Sequence, residues 1–142
     1  MRANELMIGD WVNFLIDIEG GDTEYDPKNE IYQPMQIVNL TAWGNNDGEV
    51  EDAKGTINDI DQVKPIPLTA EILEKNEFWC EHNVGYVMEE GEYEIIYDLW
   101  DHKLRILKNR EQILNLEYFD EMCVHELQHA LRLCNIEKEI EI

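Results

Sequence analysis

His125, Glu126 and His129 stand in the spacing His-Glu-x-x-His, inside the run VHELQHALRLC at residues 124 to 134. On a helix, imidazoles at i and i+4 lie about 40° apart, so both can reach one zinc while the following glutamate polarises its water. That is the chemistry of a minimal zinc peptidase, with His125 and His129 as metal ligands and Glu126 as catalytic base. A catalytic zinc also needs a third protein ligand and an open position. The metzincin extension would put Gly at 132 and His at 135, where this chain has Arg132 and Asn135. A glutamate on a second downstream helix is the other common solution, and only Glu137, Glu139 and Glu141 remain, close behind the first helix. Upstream, His82, His102 and Cys80 offer donors at no supporting spacing.

The same residues also read as a closing amphipathic helix. At 100° per residue, Phe119, Cys123, Leu127, Ala130, Leu131 and Cys134 form an apolar stripe flanked by Met122 and Leu133. His125 and His129 share the opposite side with Glu121, Gln128 and Arg132, where they would make ordinary surface pairs. On this leading reading there is no catalytic residue, no metal and no cofactor; zinc on His125 and His129 with Glu126 as base is the alternative.

Little else in the chain points to a reaction. Trp79-Cys80-Glu81-His82 places a thiol two residues from an imidazole, a lone pair. Cys123 and Cys134 fall on the apolar stripe and read as small buried hydrophobes. Tyr93, Ile95 and Tyr97 alternate along a strand, with Glu92, Glu94, Ile96 and Asp98 on the other face; the aromatic row reads as a sheet face packed on the C-terminal helix. Serine is absent, which excludes serine-based catalysis, and there is no glycine-rich phosphate loop or basic patch.

The charge is the strongest compositional fact: 32 Asp plus Glu against 11 Lys plus Arg give −21 over 142 residues. Such a field disfavours direct binding to nucleic acid or an anionic membrane and permits high solubility, cation binding or a basic protein partner. It also admits an acidic DNA mimic. With 44% hydrophobic residues and four Trp, the chain can still build a core. Three cysteines without CxxC spacing, no signal-like start and no long apolar run predict a cytoplasmic protein.

The elements that must position these residues are mostly short. A strand is predicted at residues 11 to 16, an acidic loop at 19 to 29, one strand through YQPMQIVNLTAW (32 to 43) and a turn at GNNDG (44 to 48). Short strands follow near Val50 and residues 56 to 60. Pro65 and Pro67 force an extended segment before Thr69, which offers a cap to a short helix. Strands near 78 to 81, 84 to 88, 92 to 98, 103 to 108 and 112 to 117 lead to the His-Glu-x-x-His helix, and IEKEIEI reads as a terminal strand. The expected fold is α+β: a β-rich subdomain over 1–66, an antiparallel meander or small barrel, then an α+β subdomain over 67–142 with the C-terminal helix packed on an antiparallel sheet.

NELMIGDWV near the start, PIPLTAEILEKNEF in the middle and VHELQHALRLCNIEKEIEI at the end together resemble short uncharacterised proteins encoded in prophages and other mobile elements of gut anaerobes. Members of that family carry an Asn-Glu-Leu-Arg-Ile-Gly-Asn-Trp-Val-like opening, a Pro-Ile-Pro-Leu-Thr segment and a Val-His-Gln/Glu-Leu-Gln helix with a short acidic tail. They often have Gln at the position of Glu126 and Asn at that of His129. The resemblance thus implies a non-enzymatic structural or protein-binding accessory, with His-Glu-x-x-His a chance variant of a helix whose fixed part is Val124-His125-x-Leu127-Gln128.

Overall fold

A computed structural model describes residues 5–18, 29–44, 47–118 and 120–142. The acidic loop expected at 19 to 29, the centre of the turn at 44 to 48 and Phe119 of the apolar stripe fall wholly or largely outside the described residues. The chain divides into two compact units, Met1–Ile66 and Pro67–Ile142. Among the described residues, no helix is long and apolar enough to cross a membrane.

In the first unit, β1 (Trp11–Ile18) pairs antiparallel with β2 (Glu30–Gln36), and β3 (Asn39–Ala42), β4 (Gly48–Glu51) and β5 (Ile57–Asp59) form a second antiparallel sheet ahead of a 3-10 turn at Ile60–Gln62. Leu6, Val12, Phe14, Ile37, Val50, Ile60 and Val63 make the core. The segment expected as one strand over 32 to 43 is two. At Ile37 the backbone exchanges bonds with Gly9 and Asp10, and at Val38 it turns to Glu51, so the chain changes partner and the ladder breaks. Pro34 sits inside β2 without loss, because its partner Asn13 directs both backbone groups to Lys64 and asks nothing of residue 34.

The two sheets are joined by a side chain rather than by a closed barrel ladder. Buried Asn58 on β5 accepts from the Leu15 N–H at 2.7 Å and donates to the Leu15 carbonyl at 3.0 Å, acting as a substitute peptide group. Buried Asp52 similarly holds the β4–β5 loop by accepting from the N–H groups of Lys54 and Thr56.

The second unit carries a five-stranded antiparallel sheet in the order β10 (Glu111–Glu117), β9 (Lys103–Lys108), β8 (Tyr93–Asp98), β7 (Gly85–Glu90), β6 (Trp79–Glu81), with α1 (Ala70–Lys75) before it and α2 (Val124–Leu133) after it. Thr69 caps α1 through its hydroxyl, as its place after Pro67 predicts. Both helices end the same way: a left-handed residue, Glu77 (φ 70°) or Asn135 (φ 57°), precedes an apolar one whose N–H reaches back, Phe78 to Leu73 and Ile136 to Leu131. At the β9–β10 turn, Asn109 and Arg110 both have positive φ, the mirror-image turn that matches strand twist. Gly85 (φ 116°) is required where β7 passes β8, since an added Cβ would lie 2.5 Å from the Tyr97 carbonyl.

The expected terminal strand at IEKEIEI does not form. Residues 136 to 142 are extended without a ladder, and the Asn76 side chain at the end of α1 pairs with Glu141 instead, accepting from its N–H and donating to its carbonyl, both at 2.8 Å. Ile136 and Ile140 are buried, so the alternation that suggested a strand is a real inside/outside pattern with a different hydrogen-bond partner.

Candidate functional site

The start of α2 is fixed on two sides. Cys123 bridges Pro67 in antiparallel fashion, the Leu68 N–H donates to the Met122 carbonyl at 2.8 Å, and the Met122 N–H donates to the hydroxyl of Tyr97 at 3.3 Å. Tyr97 and Ile95 are fully buried on β8 and Tyr93 half-buried, so the central part of the aromatic row packs inward and its hydroxyl anchors the C-terminal helix.

The helix then departs from the expected two-faced pattern. Leu127, Ala130 and Leu131 are buried as the stripe requires, but His125 is only 6% and Gln128 only 7% exposed, whereas Leu133 is 72% exposed. On a 100° wheel the six buried positions of α2 span about 220°, so more than half of the cylinder is enclosed. The histidine side is therefore not a solvent-facing one. His129 is half-buried, and its ring meets that of His125 edge-on, with centroids 5.7 Å apart and planes at 76°. Two imidazoles on one tetrahedral zinc, each nitrogen about 2.1 Å from the metal, would hold their centroids about 5 Å apart. The pair is thus near a ligating separation.

What does not assemble around it is a third donor. His82 and Cys80 lie at the β6–β7 end of the sheet; His102 sits in the β8–β9 loop (φ 51°), its carbonyl accepting from the Tyr118 N–H. Among the described residues, no group of three or more His, Cys, Asp or Glu side chains is placed to hold a metal ion.

Glu126 has Cys123, Tyr118 and Tyr97 among its neighbours. It occupies the third helical position after the cap residue Cys123, where a carboxylate faces the positive end of the helix. The Cys123 thiol is pushed up to about 12 by burial first, then by the charge of Glu126 and a hydrogen bond to it. Tyr118 is pushed up to about 12 by burial and then by Glu126, and Tyr97 is raised by burial, with Glu121 and Glu126 adding to it. Every resolved shift around Glu126 holds a proton in place. None prepares a thiolate or phenolate nucleophile.

A second concave region lies at the far end of the same sheet. A hollow of about 460 Å³ opens between the β6–β7 turn and the β8–β9 loop, lined by Glu81, His82, Tyr86, Asp98, Leu99 and Trp100 among others, with no Lys or Arg in its wall. Trp100 is 89% exposed, held on its loop by Asp98, whose carboxylate accepts from the N–H groups of Trp100 at 2.8 Å and Asp101 at 3.3 Å. Desolvation, followed by the charge of Glu74 on α1, raises the Tyr86 hydroxyl. Trp100 carries no spacing signature of its own in the sequence. Its signal is the context DLWDH, an indole set between turn-forming aspartates where burial is least available.

Comparison with protein-family models, with curated proteins and with solved structures returns no match.

Proposed function

We propose that this chain is a non-enzymatic accessory that binds a basic protein, the role its resemblance to mobile-element proteins implies. The observation that carries the reading is the placement of Glu126: it is the first-turn carboxylate of α2, engaged with Cys123 beside Tyr118 and Tyr97. The burial of Val124, His125, Leu127 and Gln128 supports it, because these side chains are explained by packing. The net charge of −21 supplies the attraction for a basic partner.

A second reading rests on the 5.7 Å approach of the two imidazoles, which suits zinc. Elemental analysis of untagged protein purified without chelators, together with a protease assay, separates the two. The accessory reading expects sub-stoichiometric zinc that His129→Ala leaves unchanged, and no cleavage. Stoichiometric zinc lost in His129→Ala, with cleavage abolished by Glu126→Gln, would replace it with the peptidase.

A further inference from the structure

We infer that the hollow at the β6–β7–β8 end of the second unit receives a Lys or Arg side chain from an extended basic segment of a partner protein; this rests on the accessory reading and names where the partner is held. Three features combine there. The wall carries Glu81 and Asp98 beside His82 and no Lys or Arg, so a cation entering it meets mainly complementary charge. Trp100 and Tyr86 present aromatic surface to the same space, and an indole face is the strongest aromatic partner for a guanidinium or ammonium group. Trp100 is the most exposed of the chain's large described hydrophobics, and its loop is anchored by two hydrogen bonds to Asp98 rather than left to fold the ring inward.

The shape of the edge favours an extended chain over a free cation. β6 is the terminal strand of the sheet, and all three of its residues are exposed. Among the described residues, its only backbone bond outside the β6–β7 ladder is the one its Glu81 carbonyl accepts from Val84. An extended segment laid along this edge finds open backbone groups, while one of its side chains reaches the hollow. The opposite edge, β10, is bulged between Gln112 and Leu114, which disfavours regular pairing there.

The probe is a fluorescein-labelled Gly-rich nonapeptide with three arginines, set beside the same peptide with citrulline in their place. Anisotropy should show binding of the arginine peptide, weakened about tenfold by Trp100→Ala, as expected for a partly desolvated cation–π contact. Glu81→Gln should weaken it several-fold, and Trp43→Ala, which removes another exposed tryptophan in the first unit, should leave it unchanged. The Trp100 indole N–H resonance should shift on addition. If the arginine peptide binds in a salt-sensitive way but Trp100→Ala and Glu81→Gln match wild type, the hollow is not the site, while the basic-partner reading stands. If no arginine peptide binds, both fail. Equal binding of the citrulline peptide overturns the cation assignment, and displacement by spermidine at matched charge overturns the extended segment.

Discussion

The Cys123 thiol offers the sharpest test of how α2 is built, because its raised pKa of about 12 has a calculable effect on reactivity. At pH 8 the thiolate fraction is about one in ten for an ordinary thiol near 9 and about one in ten thousand for one at 12, roughly a thousandfold difference. A more basic thiolate attacks a disulfide faster, and a Brønsted slope of about 0.4–0.5 over three units returns a factor of about 16–30. The net expectation is a reaction about 30- to 60-fold slower than that of a free thiol, before any steric shielding. The assay is the rate of reaction with an aromatic disulfide reagent in a Cys80→Ala, Cys134→Ala variant, with glutathione as reference and circular dichroism to confirm the fold. Glu126→Gln removes the second cause of the shift and should accelerate the reaction, with burial continuing to hold it below glutathione. A wild-type rate within a few-fold of glutathione would show that Cys123 is neither buried nor shadowed by Glu126, and the description of the cluster would be wrong.

Three further outcomes follow from the same structure. Tyr97→Phe leaves the buried Met122 N–H without its acceptor and should destabilise the second unit by roughly 1–3 kcal/mol in urea melts; an unchanged midpoint would mean that the bond contributes nothing. Asn76→Ala removes both bonds to Glu141 and one to Ile72, and should cost about 2–3 kcal/mol while speeding amide exchange at Glu141 far more than in the central strands. Alkali should destabilise the fold. Cys123 and Tyr118 keep protons in the folded state that the unfolded chain releases, so the stability they give is present below their ordinary values, near 9 and 10, and is lost as pH rises toward 12. A urea midpoint that stays flat from pH 9 to 11 would contradict this.

Much of the strand pattern is written locally. Alternation at residues 93 to 98 and 103 to 108, the Pro65 and Pro67 punctuation and the Thr69 cap each act through near neighbours, and each appears in the structure where expected. The failures share a cause, which is that the deciding partner lies far along the chain. Residues 32 to 43 look like one strand until Asp10 and Glu51 compete for Ile37 and Val38. IEKEIEI has a strand's period, yet the group opposite it is the carboxamide of Asn76. The helical wheel of α2 sorts residues by polarity and cannot count how many sides are covered, so His125 and Gln128 were placed in solvent when they are enclosed. The His-Glu-x-x-His spacing is legible in the sequence; that Tyr118 and Tyr97 come to lie beside Glu126 is a tertiary fact that no spacing records.

The clasp between Asn76 and Glu141 sets an order of events during synthesis. The two residues are separated by 65 positions, and the carboxamide that finishes α1 meets its partner only after the sheet and α2 have been made. Helix α1 and the sheet can emerge from a ribosome and begin to pair, but Asn76 must wait in water until residue 141 clears the exit tunnel. Closure of this unit therefore follows the pairing of its earlier elements, and a chain stalled before residue 141 would leave Ile136 and Ile140 without a berth, open to chaperones and proteases.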